Sequence, residues 1–206
     1  MDAQFLAELN ERLFVHYADG QWRAPLGQRL LPVLPFDDGR MGRIVCAEDA
    51  DIERALSSLG KGGVADIAAL QHAWDRIQPM ARQLRLLEGV EDRVSSPQRP
   101  SVPGEGPVVL LSAAQTPVAD LVGVLLSSVA RGVLWKPAPG AAASAHLVAR
   151  ALGPLMGGNL AMVQGDHDTG GLLVNRGALV WASPHAVPQG FAPPALILAA
   201  KAPHRR

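Results

Sequence analysis

The chain has 206 residues, with 19 basic against 19 acidic side chains, a 48% hydrophobic fraction and one cysteine. This composition supports a packed core and excludes whole-chain disorder, while zero net charge leaves no electrostatic footprint for nucleic acid or an anionic membrane. The single Cys46 excludes an internal disulfide framework and a cysteine-based zinc cluster.

In chain order, Phe5, Leu6, Leu9 and Leu13 recur at helical spacing, so residues 1–12 are expected to be a short amphipathic helix. The start lacks a basic segment followed by an apolar one, so it does not read as a secretory signal. Leu13–Tyr17 and Gln21–Arg23 flank Ala18-Asp19-Gly20, a strong hairpin signal. A second pair, Arg29–Leu34 and Met41–Ala47, is joined through Asp37-Asp38-Gly39. Glu48, Asp49 and Asp51 then supply negative charge to a helix N-terminus, and that helix is expected to stop at Gly60. Residues 64–92 read as helical, with Pro79 expected to kink or break them.

Residues 94–107 hold four prolines, two glycines and three serines, the composition of a loop or linker and the best internal boundary. Beyond it the pattern changes. Apolar strands at Val108–Leu111, Gly132–Trp135, Leu160–Val163, Leu179–Trp181 and Leu196–Leu198 alternate with helical segments at 118–131, 141–152 and near 169–174. Strands apolar on both faces, separated by helices, predict an α/β fold. Its centre is a Rossmann-like parallel sheet with helices on both faces, preceded by N-terminal β-hairpins and helices. The expected organisation is one domain over 1–206: hairpins and helices at 1–93, the proline-rich loop, βα units at 108–200 and a tail at 201–206. No apolar run reaches the ~18 residues of a membrane span, and the expected location is cytoplasmic.

In such a sheet ligands bind beyond the carboxyl ends of the strands. Those ends are Ser112–Pro117, Lys136–Pro139, Gln164–Gly171 and Ala182–Pro184. The G-x-G-x-x-G dinucleotide fingerprint is absent. Lys136 is one of only three lysines and either holds a ligand hydroxyl or is solvated at a strand end. Asp166, His167 and Asp168 form the densest titratable cluster; a solvated capping loop is favoured over a metal or general-base site, so no metal ligands are assigned. Ser183 either helps cap a pyrophosphate-facing helix or forms a plain turn with Pro184. The remaining histidines lack ligand spacing, the four tryptophans read as packing residues, and Cys46 reads as a small buried hydrophobe.

The ordered set of motifs resembles the cofactor domain of the aldehyde dehydrogenases. It comprises the Leu13–Trp22 hairpin, the Gly42–Val45 to Ile52–Ala55 hairpin and helix, Pro117, Gly132, Lys136-Pro137, the glycine-rich loop from Gly165 to Gly171, and the strand ending in Ser183. The resemblance implies that Lys136, Asp168, Gly171 and Ser183 are the residues that would bind NAD or NADP. It also implies departures: Gln115 stands where the family has an oxyanion-hole Asn, and Pro139 where it has a ribose-binding acid. Gly165-Asp166-His167 replaces Gly-x-Gly, and Ala182 replaces the glycine before the serine. No catalytic residue is assigned, because Cys46 is expected far from the ligand end of the sheet and the family's nucleophilic Cys and general-base Glu have no counterpart here. The expectation is a non-catalytic protein with a structural, oligomerisation or regulatory role and nucleotide binding weak or lost. Its expected partners are a second copy of itself or a full-length relative. The alternative is an NAD(P)-binding subunit whose Cys and Glu come from a partner chain; a binding module using the Asp166–Asp168 loop is a third reading.

Overall fold

The computed structural model describes residues 12–33, 41–61, 63, 65–92 and 95–198. The expected helix at 1–12 and the turn at 37–39 fall almost wholly outside these residues. Described strands are β1 (Leu13–Phe14), β2 (His16–Ala18), β3 (Gln21–Arg23), β4 (Leu30–Pro32), β5 (Arg43–Val45), β6 (Val108–Ser112), β7 (Val133–Pro137), β8 (Leu160–Met162), β9 (Ala178–Ala182) and β10 (Leu196–Leu198). The helices are α1 (Asp49–Ser58), α2 (Ile67–Leu87), α3 (Val118–Ser128), α4 (Ala142–Leu152) and α5 (His167–Leu173).

The main sheet has seven strands in the order β10-β9-β6-β7-β8-β2-β3. The first five are parallel, while β2 and β3 are antiparallel additions on the β8 side. The chain therefore winds outward from β6 in both directions, and the strand order reverses between β6 and β9. Loops diverge at such a point and open a crevice at the carboxyl ends.

Alternation along the strands sorts the core into two layers. Val108, Leu110, Val133, Trp135 and Val180 pack with α2, α3 and α4, whereas Val109, Leu111, Leu134, Leu179 and Trp181 pack with α1 and α5. Both faces are apolar because both are covered by helices, as the continuous apolar strands predict. The hairpin turn at Asp19-Gly20 has φ of 54° and 69°, the double left-handed conformation of a type I′ turn.

Two local readings differ from expectation. Residues 13–18 divide between two sheets: β1 runs parallel to β5 in a three-stranded sheet, and β2 joins the main sheet. Pro79 lies inside α2, which remains one helix of 21 residues. Pro79 is exposed, so the carbonyl it leaves without an amide partner can be hydrated, while Leu70, Trp74, Ala81 and Leu84 anchor the helix on both sides. The proline-rich segment packs closely: a Cβ on Gly123 would lie 1.8 Å from the Gln98 carbonyl oxygen. No helix of the described residues is long and apolar enough to cross a membrane.

Candidate functional site

The crevice at the carboxyl ends of β6, β7 and β9 holds a cavity of about 480 Å³. Its walls are mainly apolar, with Leu111, Ala138, Pro139, Trp181, Pro188 and Phe191 around the polar groups of Gln115, Lys136, Asp166, His167, Ser183 and His185. Trp181 and Phe191 meet edge to face, and the Trp181 indole N–H donates to the His185 carbonyl at 2.8 Å, fixing one wall.

Lys136 ends β7 with only 7% of its surface exposed. Its ammonium donates to the Pro137 carbonyl at 3.2 Å, and its aliphatic stem runs past Gly170. Burial lowers its pKa from 10.5 to about 8; the nearby Asp166 carboxylate and Cys46 oppose the shift only in part.

Asp166 precedes α5 and accepts hydrogen bonds from the backbone N–H groups of Asp168 and Thr169 at 3.1 and 3.3 Å. The Arg29 guanidinium pairs with the same carboxylate through two nitrogens, one at 2.9 Å. The Arg29 hydrogen bond holds the Asp166 carboxyl below its ordinary range. Gly165 is required beside it, because a Cβ there would lie 2.3 Å from the Thr169 hydroxyl.

Of the four residues expected to bind a nucleotide, Lys136 and Ser183 line this cavity. Asp168 and Gly171 do not: Asp168 is exposed and reaches Arg29 at 3.6 Å, and Gly171 faces open space on α5. Ser183 accepts from the His185 N–H at 3.1 Å, which is the turn rather than a helix start. Among the described residues no group of three or more His, Cys, Asp or Glu side chains is placed to hold a metal ion.

Cys46 corrects the sequence reading of its position. Ala47 donates its N–H to the Gln164 carbonyl at 2.8 Å, placing the β5–α1 segment against the end of β8. The thiol therefore lies beside the Asp166 backbone, close enough to Lys136 for the two to influence each other. It is buried, and desolvation raises its pKa, so it is held as a thiol.

The helix N-termini at this end of the sheet share a feature the sequence did not reveal. At α3 the Val118 N–H donates to Asp92 at 2.9 Å. At α4 the Ser144 N–H and hydroxyl donate to Glu88 at 2.8 and 2.7 Å. At α5 the acceptor is Asp166. Each helix following β6, β7 or β8 thus has a carboxylate of this chain at its positive end. Between β9 and β10, residues 183–195 contain no helix at all. A buried guanidinium, Arg85, ties two of these carboxylates together, with Glu88 at 2.8 Å and Asp92 at 3.7 Å. It also donates to the Ala114 and Thr116 carbonyls, fixing the loop that forms one cavity wall.

A pyrophosphate held at such a crevice needs backbone N–H groups at a helix N-terminus. The residues present do not fit that group: at α5, whose first turn borders the cavity, the Asp166 carboxylate already takes up two N–H groups, and β9 leads into no helix.

No protein-family model and no curated protein matches the chain. Among solved structures, the fold is similar to that of a Delta-pyrroline-5-carboxylate dehydrogenase from Mycobacterium tuberculosis bound with NAD and cobalamin. That match has 16% identity and a TM-score of 0.64, covering 83% of this chain and 42% of that one. An aldehyde dehydrogenase from Bartonella henselae matches at 15% identity and a TM-score of 0.66, covering 84% and 47%. A mutant of aldehyde dehydrogenase C from Pseudomonas syringae, in complex with NAD+ and octanal, matches at 18% and 0.64, covering 84% and 45%. The chain spans less than half the length of these solved structures. The likeness is one of fold, that of an aldehyde dehydrogenase-like cofactor domain.

Proposed function

We propose that this chain is a non-catalytic protein of aldehyde dehydrogenase-like fold, with a structural, oligomerisation or regulatory role and with dinucleotide affinity weak or lost. The observation that carries this reading is the Asp166 carboxylate at the α5 N-terminus, the helix start that borders the cavity and where a phosphate would be received. Bringing a pyrophosphate there would place like charges together and displace hydrogen bonds already made.

The titratable groups support the same conclusion for chemistry. A thiohemiacetal mechanism requires an accessible thiolate, and Cys46 is a buried thiol behind the cavity wall. Glu88 is held by Ser144 and Arg85 and has no access to the cavity as a base. An assembly role is supported by β10, whose outer edge has no partner strand among the described residues and whose Ile197 is 55% exposed.

The retained Lys136 and Ser183 in one cavity favour the second reading, an NAD(P)-binding subunit completed by a partner chain. Two measurements on the purified chain test the proposal. Size-exclusion with light scattering is expected to give an oligomer, and a spectrophotometric assay with aldehydes and NAD(P) is expected to give no turnover. A clean monomer sinks self-assembly, and turnover by the pure chain sinks the non-catalytic reading.

A further inference from the structure

The cavity contains one group whose chemistry the proposed function does not use. Among the described residues Lys136 is the only Lys or Arg side chain lining it, and its amine makes a single hydrogen bond, to the carbonyl of the next residue. The walls that face it are aliphatic and aromatic, supplied by Leu111, Ala138, Trp181 and Phe191. Asp166, the carboxylate nearest to it in charge terms, is engaged by Arg29 and by the first turn of α5. Among the described residues Lys136 therefore has no tight ion pair to hold it as an ammonium.

From this placement we infer that the crevice is a site for an uncharged, largely apolar ketone or aldehyde, which Lys136 captures as an imine. The ε-amine lone pair adds to the carbonyl carbon, forming the C–N bond, and the C=O π pair moves to oxygen, which takes up a proton. That proton is one of the two amine N–H protons; the hydroxyl then leaves with the second as water as the C–O bond breaks, and the nitrogen lone pair completes C=N. The condensation releases one water and involves no oxidation or reduction. His167 and His185 line the same cavity and supply imidazoles for these proton transfers.

Desolvation supports the reactivity. With its pKa lowered to about 8, Lys136 carries a large neutral fraction at mildly alkaline pH, where an ordinary lysine carries almost none. The charged and titratable groups around it are Asp166 from the β8–α5 loop, Cys46 from the β5–α1 segment, and the two lining histidines. Asp166 and Cys46 oppose the shift, and burial outweighs them.

The small lysine count makes the test clean, since Lys61, Lys201 and the α-amino group are the competing amines and peptide mapping separates each of them from Lys136. The full chain is incubated at about pH 8 with benzaldehyde and sodium cyanoborohydride, which reduces any imine to a stable benzylamine, and labelled peptides are mapped by mass spectrometry. The expected result is a benzyl group on Lys136 at a rate about tenfold or more above that on Lys61 and Lys201, and loss of this preference in urea. The Lys136→Arg variant keeps the positive charge and is expected to lose only the fast label. Equal labelling of the three lysines, or slowest labelling at Lys136, overturns the inference. Repeating the reaction with millimolar NAD separates it from the reading above. Undiminished labelling agrees with both. Protection by NAD overturns the loss of dinucleotide binding while the imine assignment stands on the mapped site.

Discussion

The Glu88 carboxylate accepts hydrogen bonds from both the backbone N–H and the hydroxyl of Ser144, at 2.8 and 2.7 Å, across 56 positions of sequence. A residue just past the end of α2 thereby caps the first turn of α4, while Arg85 balances its charge from the other side. Truncating Glu88 leaves Arg85 buried beside a single remaining carboxylate and leaves an amide and a hydroxyl without their acceptor. Glu88→Ala is expected to cost about 3–5 kcal/mol in urea unfolding, and Glu88→Gln less, because the amide oxygen still accepts from Ser144.

Asp166 makes the corresponding contacts at α5, at a more exposed site. Asp166→Ala is expected to cost about 1 kcal/mol, the usual loss for a capping side chain. It also frees two N–H groups and the Arg29 guanidinium. The variant is expected to give a calorimetric heat with inorganic pyrophosphate that the parent chain does not give. An unchanged, silent titration would show that the carboxylate is not what keeps anions out.

Among the described residues two histidines are buried in neutral form. His16 accepts the Gln164 N–H through Nδ1 at 3.0 Å, which assigns its proton to Nε2, and His146 stacks on Trp22 with ring centroids 3.8 Å apart. Burial lowers each pKa from 6.5 to about 4. The unfolded chain therefore binds more protons between those values, so stability is complete above about pH 6.5 and falls as pH drops toward 4. The loss is expected to be on the order of 2–3 kcal/mol per histidine. His146→Phe, which keeps an aromatic ring against Trp22, is expected to halve roughly this acid sensitivity in urea midpoints measured at about pH 7.5 and about pH 4.5.

Lys136 gives the same pattern on the alkaline side. Its folded-state pKa is depressed, so the unfolded chain binds the extra proton between about pH 8 and 10.5, and stability rises across that window. Lys136→Met, which fills the space without a charge, is expected to raise stability near neutral pH by about 1–3 kcal/mol and to remove the alkaline rise. A destabilised variant would mean that the ammonium makes a favourable interaction at neutral pH.

The βα register was legible because each strand is apolar on both faces and each helix is bounded by Gly or Pro, as at Pro117, Gly132 and Lys136-Pro137. The Asp19-Gly20 turn was legible for the same local reason. The carboxylate caps were not, because Glu88, Asp92 and Arg29 act at sites 56, 26 and 137 positions away, and no local pattern encodes such contacts. Cys46 was misplaced because the hairpin segment folds back onto the end of β8 through backbone hydrogen bonds that carry no side-chain signature. The Asp166–Asp168 cluster reads as a capping loop from its local sequence, whereas the pairing of Asp166 with Arg29, 137 positions away, has no local signature. The missing helix after β9 is anticipated only weakly by Pro184 and Pro188.

The central claim is that dinucleotide affinity at this crevice is weak or lost because the helix N-terminus bordering it is taken by the chain's own Asp166 carboxylate. Isothermal titration of the purified chain with NAD and with NADP tests it most directly. No saturable heat at millimolar concentration of either dinucleotide is the predicted result. A saturable heat that weakens in Lys136→Ala would contradict the claim and establish the crevice as a working cofactor site.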